Sequence, residues 1–241
     1  MNLILFDVSG TLVHSTDFEH KVLLRTVGKV LDVPVDKLRE FRKAETETAF
    51  VEKVWKLVRN DAITSEDWAE IYSIYHKTLL EEYIASKSRF TSLEGAPELL
   101  SNLQDSKSWA FAIATTAWHD MAHLSLRSAG FYTRRFHVVT GEGVTKKSQL
   151  LEKAIQSSKR WYGVNEFSKI TYVGDEALDN AVCREMKIPF IEVSELQEGE
   201  ESQKRKVRYP EKGQFIRLAR RAAVPTRLRS QGLVSLIGIR G

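Results

Sequence analysis

Short apolar runs closed by small polar residues alternate along most of the chain with stretches in which apolar positions recur three and four apart. Leu3-Ile4-Leu5-Phe6 is the first such run; it ends in Asp-Val-Ser-Gly-Thr and predicts a buried strand feeding a loop. From about Phe18 to Ser86 the period is helical, with Val22, Leu23, Val27 and Val30, and later Ile71, Ile74 and Leu79, on recurring faces. Thr64-Ser65-Glu66-Asp67 has the form of a helix start, a hydroxyl cap followed by first-turn acids. No strand is expected in this block.

The helical block breaks at Ser92–Pro97, and a short helix over Glu98–Gln104 leads to a second buried strand, Trp109–Ala114, closed by Thr115-Thr116. A regular alternation follows. It predicts a helix at about His119–Ala129, a strand at Phe136–Thr140, a helix at Lys147–Ser158, a strand at Ile170–Val173, a helix at Ala177–Met186 and a strand at Phe190–Val193. Strands alternating with helices of this length imply βαβ units, hence an α/β fold whose parallel sheet is covered on both faces. An amphipathic closing helix is expected at about Glu211–Ala223, with Phe215, Leu218 and Ala222 on one side and Arg217, Arg220 and Arg221 on others.

In open sheets of this kind, chemistry lies beyond the carboxyl ends of the strands. There the first strand presents Asp7 with Ser9 and Thr11, the second Thr115 and Thr116, and the fourth Gly174-Asp175-Glu176-Ala177-Leu178-Asp179. Lys147, with Lys146 as the alternative, opens the helix after the third. Carboxylates meeting at one sheet edge repel and raise each other's pKa unless a cation is present. Mg²⁺, a hard dication that prefers oxygen ligands, resolves this and leaves positions for a phosphate. A lysine and a threonine hydroxyl nearby suit phosphoryl oxygens, so the set reads as phosphoryl transfer. Plainer readings stand beside it: Asp7 as a turn residue, Asp175 and Asp179 as cap and first-turn acid, Thr115 as a backbone partner, and either lysine as a surface charge.

Four motifs in this order resemble those of the haloacid dehalogenase-like hydrolases. Asp7-Val8-Ser9-Gly10-Thr11-Leu12 matches the first, Phe111–Thr115 the second, Thr145-Lys146-Lys147-Ser148 the third, and Gly174-Asp175 to Asp179 the fourth. The resemblance implies a Rossmann-like core over 1–15 and 92–223, an inserted helical cap over 16–91 and a basic tail over 224–241. It implies that Asp7 is the nucleophile, forming an aspartyl-phosphate, and that Mg²⁺ is held by Asp7, the Ser9 carbonyl, Asp175 and Asp179. Thr115, Thr116 and Lys147 would bind the phosphoryl group of a small phosphorylated substrate. Phosphatases of the family carry a second Asp at the position of Ser9, where it protonates the leaving group and then activates water. A serine hydroxyl cannot do this, and losing acid/base help typically costs ~10²–10⁴ in rate. The implied activity is therefore an Mg²⁺-dependent phosphatase-type hydrolase favouring good leaving groups. The alternatives are a weak or inactive member with a binding role and phosphonatase-like hydrolysis; dehalogenation fits poorly with an intact acidic fourth motif.

Composition changes this picture in two places. The 241 residues carry 36 Lys and Arg against 32 Asp and Glu, net +4, but the excess is local. Residues 204–241 hold eleven basic residues against the single acid Glu211, net +10, leaving −6 for the rest. Nucleic acid or another acidic partner is thus expected only through the tail, where a solvated segment is the plainer reading. The one cysteine, Cys183, rules out an internal disulfide and a Cys-cluster zinc site, and with no signal-like or membrane-spanning run it suggests a cytoplasmic protein. In the cap, Phe50, Trp55, Trp68, Tyr72 and Tyr75 are candidate core or substrate-facing aromatics, and Arg25, Arg39, Arg42 and Lys53 candidate anion contacts. His119 and His123, four apart, read as a helix face rather than metal ligands.

Overall fold

A computed structural model describes residues 1–14, 17–39, 41, 44–85, 90–196 and 208–226. Arg42 and the tail from 227 onward lie outside the described residues. Five parallel strands, β1 (Asn2–Phe6), β2 (Trp109–Ala114), β3 (Val138–Val139), β4 (Ile170–Gly174) and β5 (Phe190–Glu192), form one sheet in the order β3-β2-β1-β4-β5. β1 lies at the centre, so its side chains are buried on both faces, as expected of a parallel sheet covered by helices. Ile4 and Phe6 point into one core with Phe111, Ile113 and Val173; Leu3 and Leu5 point into the other with Ala110, Ala112 and Tyr172.

Helices α5 (Ala96–Gln104), α6 (His119–Ser128) and α9 (Lys212–Arg221) cover the first face, and α7 (Lys147–Tyr162) and α8 (Ala177–Glu185) the second. The expected edge strand at Phe136–Thr140 is only two residues long. Phe136 instead ends the 3₁₀ turn Thr133–Arg135 and sets its ring edge-on to Phe111, 5.2 Å between centroids. With a single neighbouring strand, pairing is confined to Val138–Val139 against Ile113 and Ala114, extended by Ile113 N–H to His137 O and Thr115 N–H to Val139 O.

Between β1 and α5 lie α1 (Phe18–Leu31), α2 (Val35–Leu38), α3 (Glu47–Arg59) and α4 (Ser65–Ala85), with no strand among the described residues of this stretch. α4 starts as its sequence suggests: Thr64 Oγ1 accepts the Asp67 N–H while Asp67 Oδ2 accepts the Thr64 N–H, a reciprocal cap. α1 and α4 pack together and bury Glu82, whose carboxylate takes Lys21 at 2.7 Å and Arg25. The chain leaves the core and returns to it side by side, with Leu93 N–H bonded to Leu12 O and His14 N–H to Thr91 O, both at 2.9 Å. Among the described residues no helix is long and apolar enough to cross a membrane.

Candidate active site

Asp7 follows the last paired residue of β1, and its N–H still bonds to Val173 O of β4, which sets it at the carboxyl edge of the central strand. Asp175 directly follows the adjacent β4, and Asp179 lies in the first turn of α8. Asp179 is held there because its Oδ2 accepts the Glu176 N–H at 3.1 Å, part of a capping box. Carboxylate oxygens of Asp7, Asp175 and Asp179 all lie within 4.8 Å of one another. Two glycines make that convergence possible. Gly10 has φ +74°, and a Cβ there, like one at Gly174, would run into the carboxylates of Asp175 and Asp179 respectively.

Lys147 opens α7 and is buried, its Nζ paired with Asp179 Oδ1 and 3.5 Å from Asp7 Oδ2, with the Tyr172 ring 5.9 Å away. Lys146 is exposed at the helix cap position, so only Lys147 reaches the carboxylates. Burial opposes the charge on Lys147, yet Asp7 and Asp179 hold its pKa above the ordinary lysine value. Burial pushes Asp7 up to about 8; Lys147 opposes the shift and Asp179 and Asp175 add to it. Asp175 is raised to about 6, by burial and then by Asp179 and Glu176, while Thr11 Oγ1 donates to its Oδ1 at 3.3 Å. One buried ammonium therefore faces three carboxyls. The deficit of positive charge and the all-oxygen donor set fit a divalent hard cation such as Mg²⁺.

Thr115 ends β2 and is buried, its Oγ1 accepting the Ala117 N–H at 3.3 Å; Thr116 is half-buried with Gly141 against its carbonyl. Both stand at the same sheet edge as Asp7. Ser9, two residues after Asp7, is half-buried and forms a bridge with Val13.

The helical insertion reaches this edge through a segment the sequence does not mark. Thr46 Oγ1 donates to Val144 O at 2.6 Å, Thr48 Oγ1 to Gly141 O at 2.8 Å, and Glu45 Oε2 accepts the Lys147 N–H at 3.0 Å. Glu47 is half-buried beside them and accepts the Trp118 N–H; desolvation of its carboxyl, with Glu19 and Glu142 nearby, raises its pKa well above the usual range. Trp118 in turn donates from Nε1 to Thr48 and is ringed by Trp68, Tyr72 and Tyr75 of α4. Those three aromatics thus belong to the contact between insertion and core. Trp55 is buried with its Nε1 on Asp61, Phe50 is buried against His20, Arg25 is taken by Glu82, and Arg39 pairs with Asp36 on the surface. Lys53 is exposed. Cys183 is buried, and burial raises its thiol pKa.

Residues 4–193 match the sequence profile of the haloacid dehalogenase-like hydrolase family. The chain belongs to that family. The match runs from within β1 through β5, includes the three carboxylates and stops short of α9. Solved structures share the fold. A hydrolase from Pseudomonas syringae is 19% identical, with a TM-score of 0.56 over 80% of this chain and 84% of that one. CbbY from Rhodobacter sphaeroides, solved with xylulose-(1,5)bisphosphate, is 15% identical with a TM-score of 0.54, covering 79% of this chain and 84% of its own. No curated protein matches the chain significantly.

Proposed function

We propose that this chain is an Mg²⁺-dependent phosphatase-type hydrolase acting on a small phosphorylated metabolite through an aspartyl-phosphate on Asp7. The observation that carries this is the convergence of Asp7, Asp175 and Asp179 within 4.8 Å around the buried Lys147. In it, residues 1–15 and 92–223 are the core, 16–91 the cap and 224–241 a basic tail. A lone buried thiol and an active site of carboxylates are compatible with a reducing, cytoplasmic setting.

Asp7, Asp175, Asp179 and the Ser9 carbonyl would hold Mg²⁺, which when bound neutralises the carboxylates and draws charge from a phosphoryl oxygen. Asp7 supplies the nucleophile. Its carboxylate oxygen forms a bond to phosphorus as the ester P–O bond breaks and the leaving oxygen departs with the electron pair. Lys147 keeps Asp7 oriented and offers N–H donors to the phosphoryl oxygens, with Thr115 and Thr116 on the opposite side of the edge. Water then attacks phosphorus, the Asp7 O–P bond breaks and the carboxylate is restored. Contacts of Glu45–Thr48 with the core tie the helical insertion to this edge.

Ser9 sets the substrate preference. With no carboxylic acid at this position, alkoxide leaving groups go unprotonated, whereas aryl and acyl phosphates need little protonation. Release of inorganic phosphate from an aryl phosphate, with and without Mg²⁺ and with Asp7→Asn as control, tests the proposal. Mg²⁺-dependent turnover at least ~10²-fold above the variant is expected. Equal rates would replace the hydrolase reading with the second one that Ser9 favours, a member that binds phosphorylated ligands without turning them over.

A further inference from the structure

The family match ends at residue 193, but the chain comes back to the active-site loop beyond it. Tyr209 is buried, and its hydroxyl donates to the backbone carbonyl of Thr11 at 3.0 Å, 198 residues away in sequence. Its N–H donates to Glu94 O at 2.8 Å. Thr11 belongs to the passage by which the chain leaves the core, and Glu94 to the passage by which it returns. One residue thus bonds to both. Its ring is fixed by Phe6 and Phe215, at 6.3 and 6.0 Å between centroids, and these two rings stack on each other at 5.7 Å. Gly95 lies so close that a Cβ there would be 2.6 Å from Tyr209 O, and Arg208 pairs with Glu94 at 3.5 Å.

Thr11 has two attachments. Its carbonyl takes the Tyr209 proton, and its hydroxyl donates to Asp175 Oδ1 at 3.3 Å. We propose that Tyr209 is a positioning residue for the candidate site: its hydroxyl fixes the backbone at Thr11, and through Thr11 it fixes the carboxylate of Asp175 at the junction of core and helical insertion. The second half rests on Asp175 being a metal ligand. Burial, and then Asp175 and Asp7, hold the phenol well above its ordinary pKa, so the proton stays on Tyr209 to be donated. The aromatic cluster does the rest of the anchoring, so removing the hydroxyl alone leaves the segment in place.

Tyr209→Phe in the full chain is the test, since the phenyl ring still fills the space between Phe6 and Phe215. In the metal-free protein, hydrogen exchange is read at the amides of Leu12, Val13 and Leu93, which bond within and across the two passages. Loss of a buried hydrogen bond is expected to speed that exchange about tenfold while the unfolding temperature moves little. The Mg²⁺ dissociation constant, measured by calorimetry, is expected to rise about three- to tenfold, and Asp175→Asn to abolish binding. Unchanged exchange in Tyr209→Phe overturns the tie to Thr11 whatever the metal does. Unchanged Mg²⁺ affinity in Tyr209→Phe, with Asp175→Asn inactive in binding, overturns the route to Asp175. Normal Mg²⁺ binding by Asp175→Asn sinks the metal reading instead and leaves the exchange result to decide the loop.

Discussion

Glu47 Oε2 accepts the backbone N–H of Trp118 at 2.8 Å, joining the first turn of α3 to the loop that follows β2. The bond links the helical insertion to the core at the edge where Asp7 lies. Because burial raises this carboxyl's pKa well above the ordinary 4.5, the folded chain keeps a proton there that the unfolded chain releases. The resulting stability is complete below the unfolded value and is lost as pH rises through the folded one. Glu47→Gln keeps a carbonyl acceptor for Trp118 and cannot ionise. Unfolding temperatures between pH 5 and 9 should therefore fall more steeply for the wild type than for the variant, and parallel profiles would assign the slope to other groups.

The same linkage predicts how Mg²⁺ acts on stability. Asp7 and Asp175 stand at about 8 and about 6 in the folded chain against an ordinary 3.8, so both hold protons the unfolded chain gives up. Without metal, their contribution is present below pH 3.8 and is lost as pH climbs to about 8. A bound dication favours the ionised carboxylates. The stabilisation on adding Mg²⁺, read as a rise in unfolding temperature, should thus grow from pH 5.5 to 8.5, and its free energy reaches about 2.7 kcal/mol where Mg²⁺ is at 100 times its dissociation constant. A shift that is flat or shrinks with pH would contradict a carboxylate site for the metal.

Lys147 supplies the cation that makes the metal-free site tolerable. Lys147→Met preserves much of the side-chain volume and removes the charge, leaving Asp7 and Asp179 buried without their ammonium. Breaking a buried pair from one side costs roughly 3–5 kcal/mol, to be measured by urea unfolding without Mg²⁺. Aryl phosphate turnover should fall ~10²-fold or more, since donors to the phosphoryl oxygens are lost with the charge.

What the sequence reveals of this site depends on how local each feature is. Asp7, Lys147 and Asp175 each stand next to an apolar run or open a helix, so strand and helix periodicity places them at one sheet edge before any tertiary contact is known. Glu45–Thr48 is different. Its partners, Trp118, Gly141, Val144 and Lys147, lie 70 or more residues away, and most of them are met through backbone atoms that carry no side-chain signature. Tyr209 is hidden for the same reason, as it bonds to the carbonyls of Thr11 and Glu94. The shortened β3 was also not legible, because the apolar run at Phe136–Val139 does not reveal that Phe136 turns to pack on Phe111 rather than pair.

Gly10 tests the backbone geometry of the loop independently of its charges. It adopts φ +74°, and its Cα faces the Asp175 carboxylate so closely that a methyl group must displace it. Gly10→Ala combines a strained backbone with a moved ligand, and a destabilisation of about 1–3 kcal/mol is expected, together with weaker Mg²⁺ binding. Denaturant titration and calorimetry separate the two effects. Native stability with native Mg²⁺ affinity would mean that the loop can relax away from Asp175.

In the proposed reaction, Ser9 is the position that decides how the leaving group departs. It stands two residues after Asp7 and is half-buried; under the proposed function this is the position from which a carboxylic acid would serve the leaving oxygen. Ser9→Asp supplies that acid, and the benefit depends on the leaving group. For an alkyl phosphate, whose alkoxide is a strong base, proton donation is worth ~10²–10⁴ in rate; for an aryl phosphate, whose phenolate leaves readily, it is worth far less. The added carboxylate also joins an acidic cluster, so the variant should need more Mg²⁺ for half-maximal activity. The measured quantity is the ratio of alkyl to aryl turnover at saturating Mg²⁺, expected to rise at least tenfold in Ser9→Asp. An unchanged ratio would show that protonation of the leaving group does not limit this enzyme and that Ser9 does not stand in the acid/base position.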